Sequence, residues 1–312
     1  MNTLRMGPVE WALLAALSVV WGGSYFFVEV ALGELGPLGV VFGRVALAAL
    51  VLYVAVRVSG ETMARPPQIW LGFLGMGVLN NFIPFNLIVW GQTEIAGALA
   101  AILNATTPLF TVLVAHLLTR DEKLNRAKAL GVVAGLAGVV VVVGPDALAG
   151  LAPGLGDSED IWPALAQLAC LGAAISYAFA GVFGRRFRDT PPLVTACGQV
   201  TCSGTLMAPV ALLVEKPYLA WPFSGETILA MIGLGALSTA LAYWMFFRIL
   251  RAAGATNLLL VTFLIPISAF LLGHFILGET LAPRHFAGMG LIGLGLSAID
   301  GRIWARFARP KA

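Results

Sequence analysis

The chain has 312 residues, 59% of them hydrophobic and only 11% charged, whereas soluble domains carry roughly a quarter charged residues; a soluble globular domain is excluded. Its formal net charge of +3 carries no message about nucleic acid, because basic residues in a membrane protein sort by side. Cys170, Cys197 and Cys202 all lie in apolar runs, at spacings that suit neither a disulfide framework nor a metal site.

Taken in chain order, apolar runs of bilayer-crossing length predict ten spans: 10–31, 37–56, 69–90, 95–118, 128–145, 161–184, 192–214, 226–248, 255–277 and 285–304. The first run is too long for a signal-peptide core and lacks a small-residue cleavage site, so it reads as a retained span. Polar or turn-forming stretches such as "GELGP", "TRDEKLNRAK" and "RRFRDTPP" separate the runs. Of the 19 lysines and arginines, Lys216 and Arg284 fall on one side and Arg44 falls within a span; all others fall on the amino-terminal side. Cytoplasmic loops carry the Lys/Arg excess, so both termini are expected in the cytoplasm. Trp11, Trp70, Trp162, Trp221 and Trp304 fall at span ends, where an interfacial aromatic belt belongs. Trp21 lies mid-span.

The two halves, 1–150 and 151–312, resemble each other within one membrane domain. Residues 97–131 can be laid over 254–288, pairing Pro108 with Pro266, His116 with His274 and Glu122 with Glu279. "GGSYFF" at 22–27 matches "AISYAF" at 174–179, and "GRV" at 43–45 matches "GQV" at 198–200. Five spans per half oblige the second half to enter from the opposite side. The expected fold is therefore all-α integral membrane, ten transmembrane helices in two inverted five-helix repeats, an architecture of secondary transporters.

Such folds bind substrate near the midplane where helices are interrupted. Pro84, Pro108 and Pro266 supply candidate helix breaks; Pro108 and Pro266 free the carbonyls of Asn104 and Thr262, which a bilayer requires to be satisfied again. A simple kink with a local polar partner is the other reading of each. Trp21, Tyr25 and Glu29 share one face of the first span, with Gly22 and Gly23 offering close helix approach on another. Gly77, Asn81, Phe85 and Ile88 form a stripe on the third span, and Ala100, Asn104, Thr107 and Thr111 on the fourth. Ser176 and Tyr177 on the sixth and Ser238, Thr239 and Tyr243 on the eighth add polar groups. Each alone fits interhelical hydrogen bonding; their concentration on five spans argues for a lined cavity. Trp21, Tyr25, Phe85, Tyr177 and Tyr243 would be its apolar wall, with Asn81, Asn104, Thr107 and Ser238 orienting polar groups.

Glu29 and Arg44 are the intramembrane charges, costly and functional by default. Both flank the first loop, so an ion pair closing that hairpin and a role in coupling or gating both stand. The fifth and tenth spans are apolar and glycine-rich; they read as peripheral and could pack on a second copy, leaving monomer and homodimer both open. "GMGLIG" at 288–293 fits a dinucleotide-binding pattern yet lies inside a span with no preceding strand. The sequon at Asn104 is mid-membrane. No paired histidines at metal spacing, nucleophile elbow or phosphate loop occurs, so neither a metal nor a cofactor is expected, and no enzyme constellation.

"WGGSYFFVEVAL", "AISYAFAGVFGRRF" and "PISAFLLGHFILGETL" followed by a glycine-rich helix resemble, over nearly the whole chain, the drug/metabolite transporter superfamily in its EamA-type ten-helix branch, most nearly its exporters of aromatic and other amino acids. Many members carry a lysine about where this chain has Glu29. The resemblance implies a central cavity formed by the first, third, fourth, sixth, eighth and ninth helices, alternating access, no cofactor, and a bacterial inner-membrane location. The expected function is export of small amphipathic metabolites, probed against two alternatives: proton-coupled multidrug efflux and, from another class, a membrane-embedded lipid-modifying enzyme.

Overall fold

The computed structural model describes residues 6–120, 122–150, 161–258 and 260–300, and those residues form helices and turns. Eight helical segments are long and apolar enough to cross a membrane: α1 (Pro8–Leu32), α2 (Pro37–Val58), α3 (Pro67–Gly91), α4 (Gly97–Leu118), α5 (Arg126–Pro145), α6 (Trp162–Phe187), α7 (Pro192–Glu215) and α8 (Gly225–Leu250). A shorter apolar helix, α9 (Val261–Leu277), and α10 (Pro283–Asp300) follow. The protein is a multi-pass membrane protein. Trp304 and the basic residues Arg5, Arg302, Arg306, Arg309 and Lys311 lie outside the described residues; Trp11, Trp162 and Trp221 are exposed, as an interfacial position requires.

Proline sets most of the starts. Pro8, Pro37, Pro67 and Pro192 open their helices, where the missing N–H has no intrahelical partner to lose and the fixed φ already suits a helix. Ser224 caps α8 by accepting the Thr227 amide at 3.2 Å. Gly278, at φ 72°, ends α9 in the left-handed conformation that costs a side-chain-bearing residue most.

Apolar side chains gain little by leaving lipid for one another, so helix association depends on close packing and interhelical hydrogen bonds. Glycine provides the approach. A β-carbon on Gly131 or Gly138 of α5 would run into the backbone of α10 at Gly295 or Gly288. The small faces of α5 and α10 are thus largely packed on each other, although Gly290 and Gly293 face open space.

α2 lies along α7, with α8 on α2 and α3 on α7; α1 lies along α9 and α8, and α6 along α4 and α3.

One helix-break expectation is corrected. α9 runs unbroken from Val261 to Leu277 with Pro266 inside it. A short helix, Ala255–Leu258, lies ahead of it. Ser268, one half-turn past the proline, has one hydroxyl hydrogen, and the shortest of its three carbonyl contacts, 2.7 Å to Ser18 of α1, ties α9 to α1.

Candidate functional site

The opening stretch of α1 divides its tasks by face. Gly22 sits so near α9 that a β-carbon there would meet Ser268 and the Ala269 backbone, and Ser268 donates to the Ser18 carbonyl at 2.7 Å. The same helix turns Tyr25 inward, buried, where its hydroxyl accepts from Asn104 Nδ2 of α4 at 3.0 Å. Trp21 does not join it. Its ring packs toward α8, 5.9 Å from Phe246, continuing through Phe247 to Tyr243 as an aromatic chain.

At Pro108 the chain breaks. One helical piece ends at Asn104 and the next begins at Thr107. The carbonyl of Asn104, deprived of its proline donor, accepts the Thr107 hydroxyl at 2.7 Å. The break thereby projects the Asn104 amide to Tyr25 without leaving an orphaned backbone acceptor.

Three helices carry wide π-type turns: Val78–Phe82 in α3, just before Pro84, Ala211–Glu215 at the end of α7, and Gly233–Leu241 in α8. Such turns occur preferentially at functional sites because they re-aim side chains without ending a helix. In α3 they aim Asn80 and Asn81 at the Tyr243 hydroxyl, 3.0 and 3.3 Å away, with Asn80 also donating to Gln199 of α7 at 3.2 Å. Asn81 is fully buried, and its side-chain carbonyl has no partner. In α8 the Thr239 hydroxyl reaches the Leu234 carbonyl five residues back, and Ser238 donates to the Val20 carbonyl of α1 at 2.9 Å.

Arg44 stands among these groups. It is 8% exposed; its Nε donates to Thr239 Oγ1 at 3.1 Å and its guanidinium lies 3.8 Å above the centre of the Phe85 ring. Tyr25, Tyr177 and Tyr243 are all within Coulombic range of it. The ion pair with Glu29, one of the two roles left open by the sequence, does not form. Glu29 faces the Gln92 and Glu279 side, and one of its carboxylate oxygens is buried without a partner. The reason is helical phase: Arg44, seven residues into α2, points toward α3 and α8, whereas Glu29 lies on the α1 face turned to the α3–α4 and α9–α10 turns.

Acidic side chains close those turns. Glu279 accepts the amides of Gly97 and Ala98 at the start of α4, both at 3.0 Å, and Glu215 accepts those of Leu38 and Gly39 at the start of α2, at 2.9 and 2.7 Å. Each carboxylate meets the positive end of a helix. On the opposite face Glu122, aligned in sequence with Glu279, pairs instead with Arg185. The histidines are structural hydrogen-bonders: His116 Nδ1 accepts the Leu124 amide, and His274 Nδ1 bonds the Glu279 carbonyl.

Of the nine expected site residues, Tyr25 and Asn104 meet directly, as do Asn81 and Tyr243. Phe85 and Tyr177 join them around Arg44, Ser238 and Thr107 serve backbone carbonyls, and Trp21 stands apart. None of the nine lines the apolar groove of about 710 Å³ between α2 and α8, walled by Phe42, Leu47, Met231 and Ile232, or the smaller opening of about 410 Å³ beside Glu34 and Lys216. Sequence reasoning passed over Thr239 as a partner for Arg44 and gave Gln92, Gln199 and Glu279 no place in the site. Gln199 had a signal, since it occupies the position of Arg44 when "GQV" is laid over "GRV".

Residues 9–144 and again 164–299 match the EamA-like transporter family. The chain is 25% identical over 300 residues, 94% of its length and 90% of the relative's, to an uncharacterized inner membrane transporter, YedA, of Escherichia coli strain K12. It is 28% identical over 277 residues, 88% of its length and 86% of the relative's, to protein PecM of Dickeya dadantii. A solved crystal structure, 21% identical, superposes with a TM-score of 0.68 over 98% of this chain and all of the other, a likeness of fold.

Proposed function

This chain belongs to the EamA-like transporter family, and we propose that it is a secondary transporter of the bacterial inner membrane exporting small amphipathic metabolites, aromatic or neutral amino acids foremost. The observation that carries this reading is the polar cluster at the bundle centre. Tyr25 with Asn104 and Tyr243 with Asn80 and Asn81 bring hydrogen-bonding groups from α1, α3, α4 and α8 together, flanked by Phe85 and Tyr177. An apolar ring face with a few directed polar groups is what a small amphipathic solute requires.

In this reading the ten spans form two inverted halves, with both termini in the cytoplasm. The pairing of helices supports it: α1 on α9 is mirrored by α6 on α4, and α8 on α2 by α3 on α7. Rocking of one half against the other exposes the cluster alternately to the two sides. The carboxylates of Glu279 and Glu215 hold the periplasmic ends of α4 and α2 in the state seen here. The opposite state releases them and lets Glu122, freed from Arg185, take up the corresponding task on the cytoplasmic side.

Alanine at Tyr25, Asn81 and Asn104 together, in protein that still folds and reaches the membrane, is expected to abolish saturable flux; unchanged flux would remove the site. Proton-coupled drug efflux is the second reading, and the partnerless oxygen of Glu29 favours it. In that case Glu29→Gln uncouples dye flux from the pH gradient, whereas under the first reading flux ignores the gradient in both proteins.

A further inference from the structure

We propose that Arg44 is the anchor for a carboxylate on the transported molecule. This deepens the reading above and rests on it for the word transported, though not for the binding. The argument begins with a cation 92% removed from solvent by its 8% exposure, in a membrane protein where such a charge is retained only with a compensating partner. Among the described residues no carboxylate reaches it. Its Nε is used by Thr239 and one face of the guanidinium by Phe85. Among the described residues its terminal nitrogens have no hydrogen-bond partner, and they are not among the fully enclosed unpaired atoms, so they keep some accessible surface.

The surroundings add donors beside the guanidinium. Tyr25 accepts from Asn104, and Tyr243 accepts from Asn80 and Asn81, so both hydroxyl hydrogens remain unspent. Tyr177 completes the trio within Coulombic range of the guanidinium. A site with a guanidinium fork and unspent phenolic hydrogens satisfies an oxyanion and leaves a cation or an uncharged amide poorly matched. The unpaired carbonyl of Asn81 offers an acceptor for an N–H on the same ligand, and Phe85 and the tyrosine rings offer it an apolar wall.

Packing alone does not call for the charge. The sequence match places Gln199 at the counterpart of Arg44, and there a neutral amide, accepting from Asn80 at 3.2 Å, fills the corresponding place on α7. The half that carries the arginine carries something the fold does without in the other.

The test uses the full-length chain in nanodiscs of zwitterionic lipid and compares binding of 3-phenylpropionate with that of its uncharged amide. A charge-assisted, bidentate pair is stronger than its neutral counterpart, and the acid is expected to bind about tenfold tighter than the amide. Arg44→Gln abolishes the preference, and Arg44→Lys, which keeps the charge but loses the planar fork, leaves an intermediate one. Equal binding of acid and amide by the unmodified chain, or binding of neither, overturns the proposal and needs no variant that folds. Loss of acid binding in anionic-lipid nanodiscs overturns it too, because the arginine then belongs to a lipid headgroup. Acid preference without phenylalanine flux removes the amino-acid reading and leaves Arg44 as an anion site; flux that the amide inhibits as well as the acid removes Arg44 and leaves the transporter.

Discussion

Glu279 accepts the backbone amide of Gly97 at 3.0 Å across 182 positions of sequence, tying the α9–α10 turn to the first residue of α4. The partner oxygen takes the Ala98 amide. A charged acceptor on two otherwise unpaired helix-start donors is a strong local clamp, and it joins the two segments the sequence aligns with each other.

Replacing Glu279 with Gln keeps the shape and removes the charge. Amide hydrogen exchange at the start of α4 is expected to rise by about tenfold or more, from the loss of charge-assisted bonds worth roughly 1.5–3 kcal/mol. Exchange there that matches the unmodified protein would show the clamp to be idle.

Thr107→Val should cost stability out of proportion to its size. The hydroxyl is the donor to the Asn104 carbonyl, and an orphaned carbonyl in the membrane costs about 1–3 kcal/mol. Thr107→Ser keeps the donor and should stay within about 0.5 kcal/mol of the parent. Denaturant titration in detergent separates the two.

The α5–α10 seam predicts a contrast between two glycines. Ala at Gly138 meets the backbone of Gly288 and Ile292 and is expected to destabilise by about 1–3 kcal/mol. Ala at Gly290, which faces open space, should be neutral or stabilising, since a helix-interior Gly→Ala change gains roughly 0.5–1 kcal/mol. Thermal unfolding of the two variants decides it.

Glu34, in the turn between α1 and α2, accepts the Ser224 amide at 2.9 Å, and hydrogen bonds from Ser224 hold its carboxyl below the usual carboxylate range. A depressed folded pKa stabilises above the unfolded value and loses that contribution as pH falls through the folded one. The difference in unfolding temperature between the parent and Glu34→Gln should therefore be present at neutral pH and close as the pH drops below about 4. A difference that is flat with pH would mean the bond contributes nothing through its charge.

Much of this was legible before any coordinates. Hydropathy located the helices that cross, because bilayer thickness sets their length, and the stripe of Gly77, Asn81, Phe85 and Ile88 turned inward because a helix fixes which residues share a face. The break at Pro108 was legible from a missing N–H. The one expected at Pro266 was not observed: α9 runs through it, because a missing N–H can bend a helix without ending it. The Glu29–Arg44 pair failed for a related reason: closeness to one loop fixes depth in the bilayer but not the rotation of each helix. Gln92, Glu279 and Glu215 act through backbone amides far away in the chain, a relationship that leaves no local motif.

The most direct measurement is efflux of labelled phenylalanine from proteoliposomes reconstituted with the full chain, with and without an imposed pH gradient. The account expects saturable efflux that the gradient leaves unchanged and that Arg44→Gln reduces strongly. Efflux no faster than from protein-free liposomes, or efflux of a cationic dye that rises and falls with the gradient while phenylalanine stays inside, would contradict it.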